Sequence, residues 1–304
     1  MTSQWNKRES ALAAVLSAVL IGACEDPVRP EPDPAASAVT PAAAALPGLA
    51  LRWASSGQSS ENKSAEVGCE EGQSVLGIGG RIRGGDGQVA MDALIPEATV
   101  GPGGDATVHA SEVGNGTTES WSVVAYAICA EVPTIRRGRI GELSSISPRE
   151  TEIGISDNPC SLQNQVLTGT GGEIVDGPPG RILLEALIPS QDLQGVTVRA
   201  AEQPDTAATW RLDARSICAD LPNVQRVVRT SLNTSENKHV TAHCPGDARV
   251  VGTGGEIIGG GGHVVMTYVV PDADLTRVHV RGAEDEEGTD ANWAVRAYAI
   301  CATA

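Results

Sequence analysis

The sequence predicts an all-β protein of three homologous, disulfide-stapled antiparallel β repeats. Three observations carry this. Six of the seven cysteines fall into pairs, Cys69 with Cys129, Cys160 with Cys218 and Cys244 with Cys301, at separations of 60, 58 and 57 residues. Four landmarks recur in the same order in each third of the chain. Short apolar runs are broken by Gly, Pro, Asp and Asn, and no segment sustains a helical period.

The amino end precedes the repeats. Lys7 and Arg8 make a short positive start, and Ala11 to Ile21 is an apolar run too short to span a bilayer but suited to a signal-peptide core. It ends in Ile21-Gly22-Ala23-Cys24, which resembles a bacterial lipobox. That resemblance implies a lipoprotein signal peptide over 1–23 and lipidation of Cys24, with acyl chains adding about 0.8 kcal/mol of membrane affinity per buried methylene. Residues 24–48 hold the lipidated cysteine and a Pro/Ala-rich stalk, with Pro27, Pro30, Pro32, Pro34, Pro41 and Pro47. Such a composition cannot build a core and extends by about 3.1 Å per residue. No later segment is long and apolar enough to span a bilayer as a helix.

The repeats are read as 49–133, 134–222 and 223–304. The first landmark in each is its first cysteine, Cys69, Cys160 or Cys244. A Gly-x-Gly-Gly-x-Ile segment follows: Gly77-Ile78-Gly79-Gly80-Arg81-Ile82, Gly169-Thr170-Gly171-Gly172-Glu173-Ile174 and Gly252-Thr253-Gly254-Gly255-Glu256-Ile257. An apolar run ending in Pro96, Pro189 or Pro271 is next, and the unit closes on a strand from Trp121, Trp210 or Trp293 to its second cysteine. The leader Ser60-Glu61-Asn62-Lys63 returns as Ser235-Glu236-Asn237-Lys238, without a counterpart in the middle copy.

In the closing strand, Trp121, Val123, Ala125, Ala127 and Cys129 share a face, as do their counterparts in the other copies. Alternation points that face inward and the opposite one, Ser122, Val124, Tyr126 and Ile128, mostly to water. Gly77 with Gly79, Gly169 with Gly171 and Gly252 with Gly254 leave a trough on one strand face, and the repeat's own indole is expected to lie across it. A phosphate-cradling role for these glycines lacks the helix and the Lys-Ser/Thr of a P-loop. The repeat logic assigns each bridge within its own copy, tying the opening strand to the closing one. Such bridges compensate a small core without phenylalanine and imply an oxidising, extracytoplasmic compartment. Two arrangements stay open: tandem small sandwiches, or one pseudo-threefold β-prism.

These landmarks resemble a family of secreted bacterial β-repeat domains with the pattern Cys-Pro-x-Gly, Val-x-Gly-x-Gly-Gly and Trp-x-Val-x-Ala-Tyr-Ala-x-Cys-Ala. Copy three is nearest, with Cys244-Pro245-Gly246, Val250 to Gly255 and Trp293 to Ala302. Copy one departs at Glu70-Glu71, and copy two at Ser161 and at Arg215-Ser216. The resemblance implies the fold unit and no activity. The threefold β-prism of egg vitelline-membrane outer-layer proteins is a more distant likeness, with shorter repeats.

The formal net charge is −16, and no basic stripe exists to displace counterions from nucleic acid or anionic lipid. Glu112, Glu202 and Glu284 recur ahead of the tryptophans, each preceded by His109, Arg199 or Arg281. They invite comparison with the paired carboxylates of glycosidases, but a residue present in every copy more simply serves a need of every copy. Asp285, Glu286, Glu287, Asp290 and Asn292 form an oxygen-rich loop of the kind that holds Ca²⁺, though the other copies carry far fewer acids there. His239 and His243 share a strand face and lack an evident third zinc ligand. Tyr126, Tyr298 and Trp53 are the aromatics available to a glycan-binding surface. No Cys-x-x-Cys, His-Glu-x-x-His or Gly-x-Ser-x-Gly occurs. The expectation is a non-catalytic, cofactor-free surface module, joined to the membrane by its lipid and binding an envelope glycan or protein, or structural in role. The alternative is a lectin-like or glycan-active envelope protein.

Overall fold

The computed structural model describes residues 46–85, 87–97, 103–132, 134–143, 150–154, 160, 165–204 and 206–303. The expected signal peptide, Cys24 and the expected stalk up to residue 45 lie outside them. The first repeat supplies β1 (Ala50–Ser55), β2 (Lys63–Gly68), β3 (Ser74–Arg83), β4 (Val89–Pro96), β5 (Asp105–Glu112) and β6 (Ser122–Ala130). The second supplies β7 (Ile135–Leu143), β8 (Glu150–Gly154), β9 (Val166–Val175), β10 (Ile182–Pro189), β11 (Val196–Glu202) and β12 (Arg211–Ala219). The third supplies β13 (Val224–Thr230), β14 (Lys238–His243), β15 (Arg249–Gly259), β16 (Val264–Pro271), β17 (Arg277–Glu284) and β18 (Trp293–Ala302). No helix occurs among the described residues, and every strand pair is antiparallel.

The repeats do not stand as separate sandwiches on a string. Each splits into two three-stranded layers that face one another, and each layer continues into a layer of a neighbouring repeat. Three six-stranded sheets result: sheet I, β1-β6-β3-β16-β17-β14; sheet II, β13-β18-β15-β10-β11-β8; and sheet III, β2-β5-β4-β9-β12-β7. The seams are short and equivalent. Gly80 pairs with Val269, Leu94 with Gly172, and Leu187 with Gly255. Repeat one joins two, two joins three and three returns to one, so the body closes around a pseudo-threefold axis, the second of the two arrangements left open by the sequence.

Closure explains two departures from the sequence reading. The closing strand is buried on one face and over much of the other: Val124, Ile128, Ile217 and Ile300 are at 0% exposure, because part of the face expected to meet water packs against the other repeats, while Tyr126, Arg215 and Arg296 on it are half-buried. The glycine troughs are also filled differently. A Cβ on Gly252 would stand 1.6 Å from the carbonyl oxygen of Thr168, one on Gly77 2.4 Å from that of Val251, and one on Gly169 2.6 Å from that of Leu76. Each glycine therefore admits the backbone of the neighbouring repeat, not the indole of its own. The same holds for Gly79 against Val269, Gly171 against Leu94 and Gly254 against Leu187. Backbones this close leave no room for a side chain, which is why the positions are glycine. Between them Thr170 Oγ1 donates to the Thr253 carbonyl at 2.7 Å and Thr253 Oγ1 to that of Ile78 at 2.5 Å. Ile78 has no hydroxyl to continue the ring.

The three bridges form within their own repeats, with Cα–Cα distances of 5.6, 5.3 and 5.7 Å, inside the usual disulfide range. Cys69, Cys160 and Cys244 follow the second strand of the repeat, so the staple joins second and last strands; the opening strand pairs with the last one by hydrogen bonds instead. The second and last strands of a repeat belong to different sheets. The first bridge ties sheet I to III, the second III to II and the third II to I, so each pair of sheets carries one covalent link. Trp121, Trp210 and Trp293 are buried to 1% exposure or less between the layers. Each removes about 200 Å² from water, on the order of 5 kcal/mol before conformational entropy is subtracted.

Candidate functional site

The three recurring glutamates stand at the ends of β5, β11 and β17, one in each sheet. Each accepts the indole N–H of its own repeat: Trp121 Nε1 to Glu112 Oε1 at 3.0 Å, Trp210 to Glu202 at 2.8 Å and Trp293 to Glu284 at 2.8 Å. A buried indole N–H needs an acceptor, and the glutamate is it.

The recurrent Ser-Glu-Asn-Lys leader, whose purpose sequence reasoning missed, completes the same unit. Asn62 Oδ1 accepts the backbone N–H of Glu112 and Asn237 Oδ1 that of Glu284. Lys63 and Lys238 each place Nζ 3.3 Å from the centroid of the Trp121 or Trp293 ring, a cation–π contact on the indole that the glutamate holds at its edge. Partial burial lowers the pKa of both lysines, against the opposing pull of Glu112 and Glu284. The signal was visible, since leader and tryptophan recur together in copies one and three.

The residues three before each glutamate occupy the seams between repeats. Ala93, Ala186 and Tyr268 are equivalent. Ala93 pairs with His109 on one side and Glu173 on the other, Ala186 with Arg199 and Glu256, and Tyr268 with Arg281 and Arg81. Just before each lies the extra residue of a β-bulge, Asp92, Glu185 or Thr267, which re-aims a side chain at that point.

The three seams carry different charge. In sheet II the Arg199 guanidinium lies 3.3 Å from Glu185 and 3.4 Å from Glu256 and donates to the Ile257 carbonyl. Arg296 and the Tyr298 hydroxyl complete the set on Glu256, at 2.9 and 2.7 Å. Burial, with Glu256 adding to it, pushes Tyr298 up to about 12. In sheet III, Asp92 accepts from Ser111, and Arg215 pairs with Glu173. Burial raises the pKa of Asp92 and Glu173 adds to the rise, against Ser111 and His109. In sheet I the seam is basic, with Arg81 5.7 Å from the Tyr268 ring centroid.

The remaining candidates separate. Asp285 Oδ1 accepts the backbone N–H of Glu287 at 3.1 Å and of Gly288 at 3.0 Å, and Gln203 Nε2 and His263 approach its Oδ2. Glu286 accepts from Asn115 and Gln88 of the first repeat. The acidic loop thus docks on its two neighbours around a cavity of ≈ 40 Å³. Asp290 and Asn292 are exposed. His239 and His243 are exposed on edge strand β14, and His279 lies diagonally between them on β17, with Nδ1 2.9 Å from Thr241 Oγ1. Among the described residues, no three His, Cys, Asp or Glu side chains gather as a metal site. Trp53, 60% exposed, faces Tyr126 directly across β1 and β6, whereas Tyr298 is buried and committed to Glu256.

No protein-family model matches the chain, and no curated protein is significantly similar to it in sequence.

Proposed function

We propose that the protein is a lipid-anchored, extracytoplasmic display module without catalytic activity, a member of the secreted bacterial β-repeat family that its landmarks resemble. Cys24 carries the acyl chains, residues 24–48 hold the body off the membrane, and the three repeats present its outer surface to an envelope glycan or protein, or brace the envelope. One observation carries the non-catalytic part: all three recurring carboxylates are taken up by indole N–H groups inside the fold. The three bridges support an oxidising compartment. Metabolic labelling with a tagged fatty acid, followed by fractionation, tests the anchor. The wild-type chain takes label and sediments with membranes, and Cys24→Ser does neither. Label on Cys24→Ser, or free thiols in the mature chain, refutes the proposal.

A second reading rests on Trp53 and Tyr126. An exposed indole beside a tyrosine is the type of surface on which a sugar ring stacks. A glycan array with hydrolysis assayed in parallel separates the readings. Retention lost in Trp53→Ala supports glycan binding, and turnover abolished by Glu→Gln at position 112, 202 or 284 overturns the non-enzymatic reading.

A further inference from the structure

The three seams are internal controls for one another. Position by position, Asp92, His109 and Glu173 in sheet III correspond to Glu185, Arg199 and Glu256 in sheet II. Both seams set a carboxylate on the bulge and a second across the seam. In sheet II the space between them holds the Arg199 guanidinium, side chain 12% exposed between acids at 8 and 9%. In sheet III the counterpart is His109, which is exposed. Asp92 Oδ1 is enclosed and meets no hydrogen-bond donor, while Ser111 serves the other oxygen. Arg215 pairs with Glu173 through Oε2. Asp92 and Glu173 border an open cleft of ≈ 160 Å³ with His109 and Ile174 on its wall and the Gly177-to-Gly180 turn at its rim. Ile174 is the counterpart of Ile257, whose carbonyl accepts from Arg199.

We propose that this cleft between the first and second repeats binds the guanidinium group of a ligand, which takes the place that Arg199 fills from within in the sister seam. A guanidinium suits it chemically. It is planar, presents several donors in a fixed fork, and is weakly hydrated, so it sheds water at a half-buried pair of carboxylates more readily than an ammonium does. Asp92 Oδ1 and Glu173 are the acceptors and the Ile174 carbonyl is a third. The acidic balance of the chain adds long-range attraction for such a cation. The site is independent of the lipid anchor and of the Trp53 surface, so its failure leaves both readings above standing.

Calorimetric titration of the full-length chain with arginine amide tests the site, with citrulline amide as the uncharged analogue of equal shape and lysine amide as the ammonium. Arginine amide is expected to bind saturably at one site, at least tenfold tighter than either comparator. Asp92→Asn weakens it at least tenfold. His109→Arg, which supplies the guanidinium from within as Arg199 does, abolishes it. Near-ultraviolet dichroism checks that each variant is folded. His109→Arg keeps both carboxylates and adds a contact, so it remains decisive if Asp92→Asn unfolds. Undiminished affinity in a folded variant, equal binding of citrulline or lysine amide, or no binding to the wild-type chain overturns the proposal.

Discussion

Replacing Glu202 by alanine should destabilise the body more than the same change at Glu112 or Glu284. Trp210 is 1% exposed and Glu202 5%, so the Nε1–Oε1 bond of 2.8 Å lies away from water. Removing the acceptor strands a buried indole N–H, which costs about 1–3 kcal/mol. The lost side-chain methylenes add about 1 kcal/mol, for a total of about 2–4 kcal/mol. Glu112 and Glu284 are half-buried, so water can replace their carboxylates and the loss should be roughly half as large. Glutamine retains an amide oxygen at the same place and should cost about 1 kcal/mol, the difference between a charged and a neutral acceptor. At roughly 2–4 °C per kcal/mol for a unit of this size, Glu202→Ala lowers Tm by about 5–15 °C and Glu202→Gln by a few degrees. Urea unfolding followed by tryptophan fluorescence at unchanged m reads the same order. Equal midpoints for Glu202→Ala and Glu202→Gln, or a larger loss at Glu112 than at Glu202, would show that these glutamates do not serve as indole acceptors.

The axis is tested by Gly252→Ala, whose methyl would meet the Thr168 carbonyl at 1.6 Å; we expect a loss of about 3 kcal/mol or more in urea midpoints, while Gly57→Ala, with nothing within 4 Å, stays within about 0.5 kcal/mol. Asp92 has a folded-state pKa raised by burial, so its contribution to stability is complete below the ordinary carboxylate pKa and is lost as pH rises through the folded-state value. Asp92→Asn should therefore raise the urea midpoint at neutral pH, with the gain shrinking on acidification; a gain that grows toward acid refutes this. Replacing Cys244 and Cys301 together by alanine opens a loop of 57 residues, about 4 kcal/mol in the chain-entropy model. Because that bridge joins sheets I and II, the whole body should unfold earlier in one transition. Peptide mapping of unreduced protein should find only bonds within repeats; bonds between repeats contradict the fold.

Much was legible along the chain because it depends on local periodicity and on repetition. The alternation from Trp293 to Cys301 identifies a strand, and the triple recurrence of Cys, Gly-x-Gly-Gly and Trp identifies the unit, since each copy must satisfy the same covalent and steric demands. The pairing of Cys69 with Cys129 follows from that repetition. The purpose of Glu112, Glu202 and Glu284 was half legible: their recurrence marked them as structural, but the acceptor role depends on where β5, β11 and β17 end relative to the buried indoles.

The partnership between repeats could not be read from any one of them. A sheet seam of two residue pairs, such as Leu94 with Gly172, has no local signature, because its hydrogen bonds involve backbone groups that every residue possesses. Gly252 looks the same whether an indole or the Thr168 carbonyl lies over it, so its glycine identity announces a close approach without naming the neighbour. Closure around the axis buried Val124 and Ile128 on the supposed outer face of β6 and brought Asp92 and Glu173, from different repeats, onto one cleft. Repetition along the chain defines the unit; the packing of three imperfect copies against one another decides which of their differences become a site.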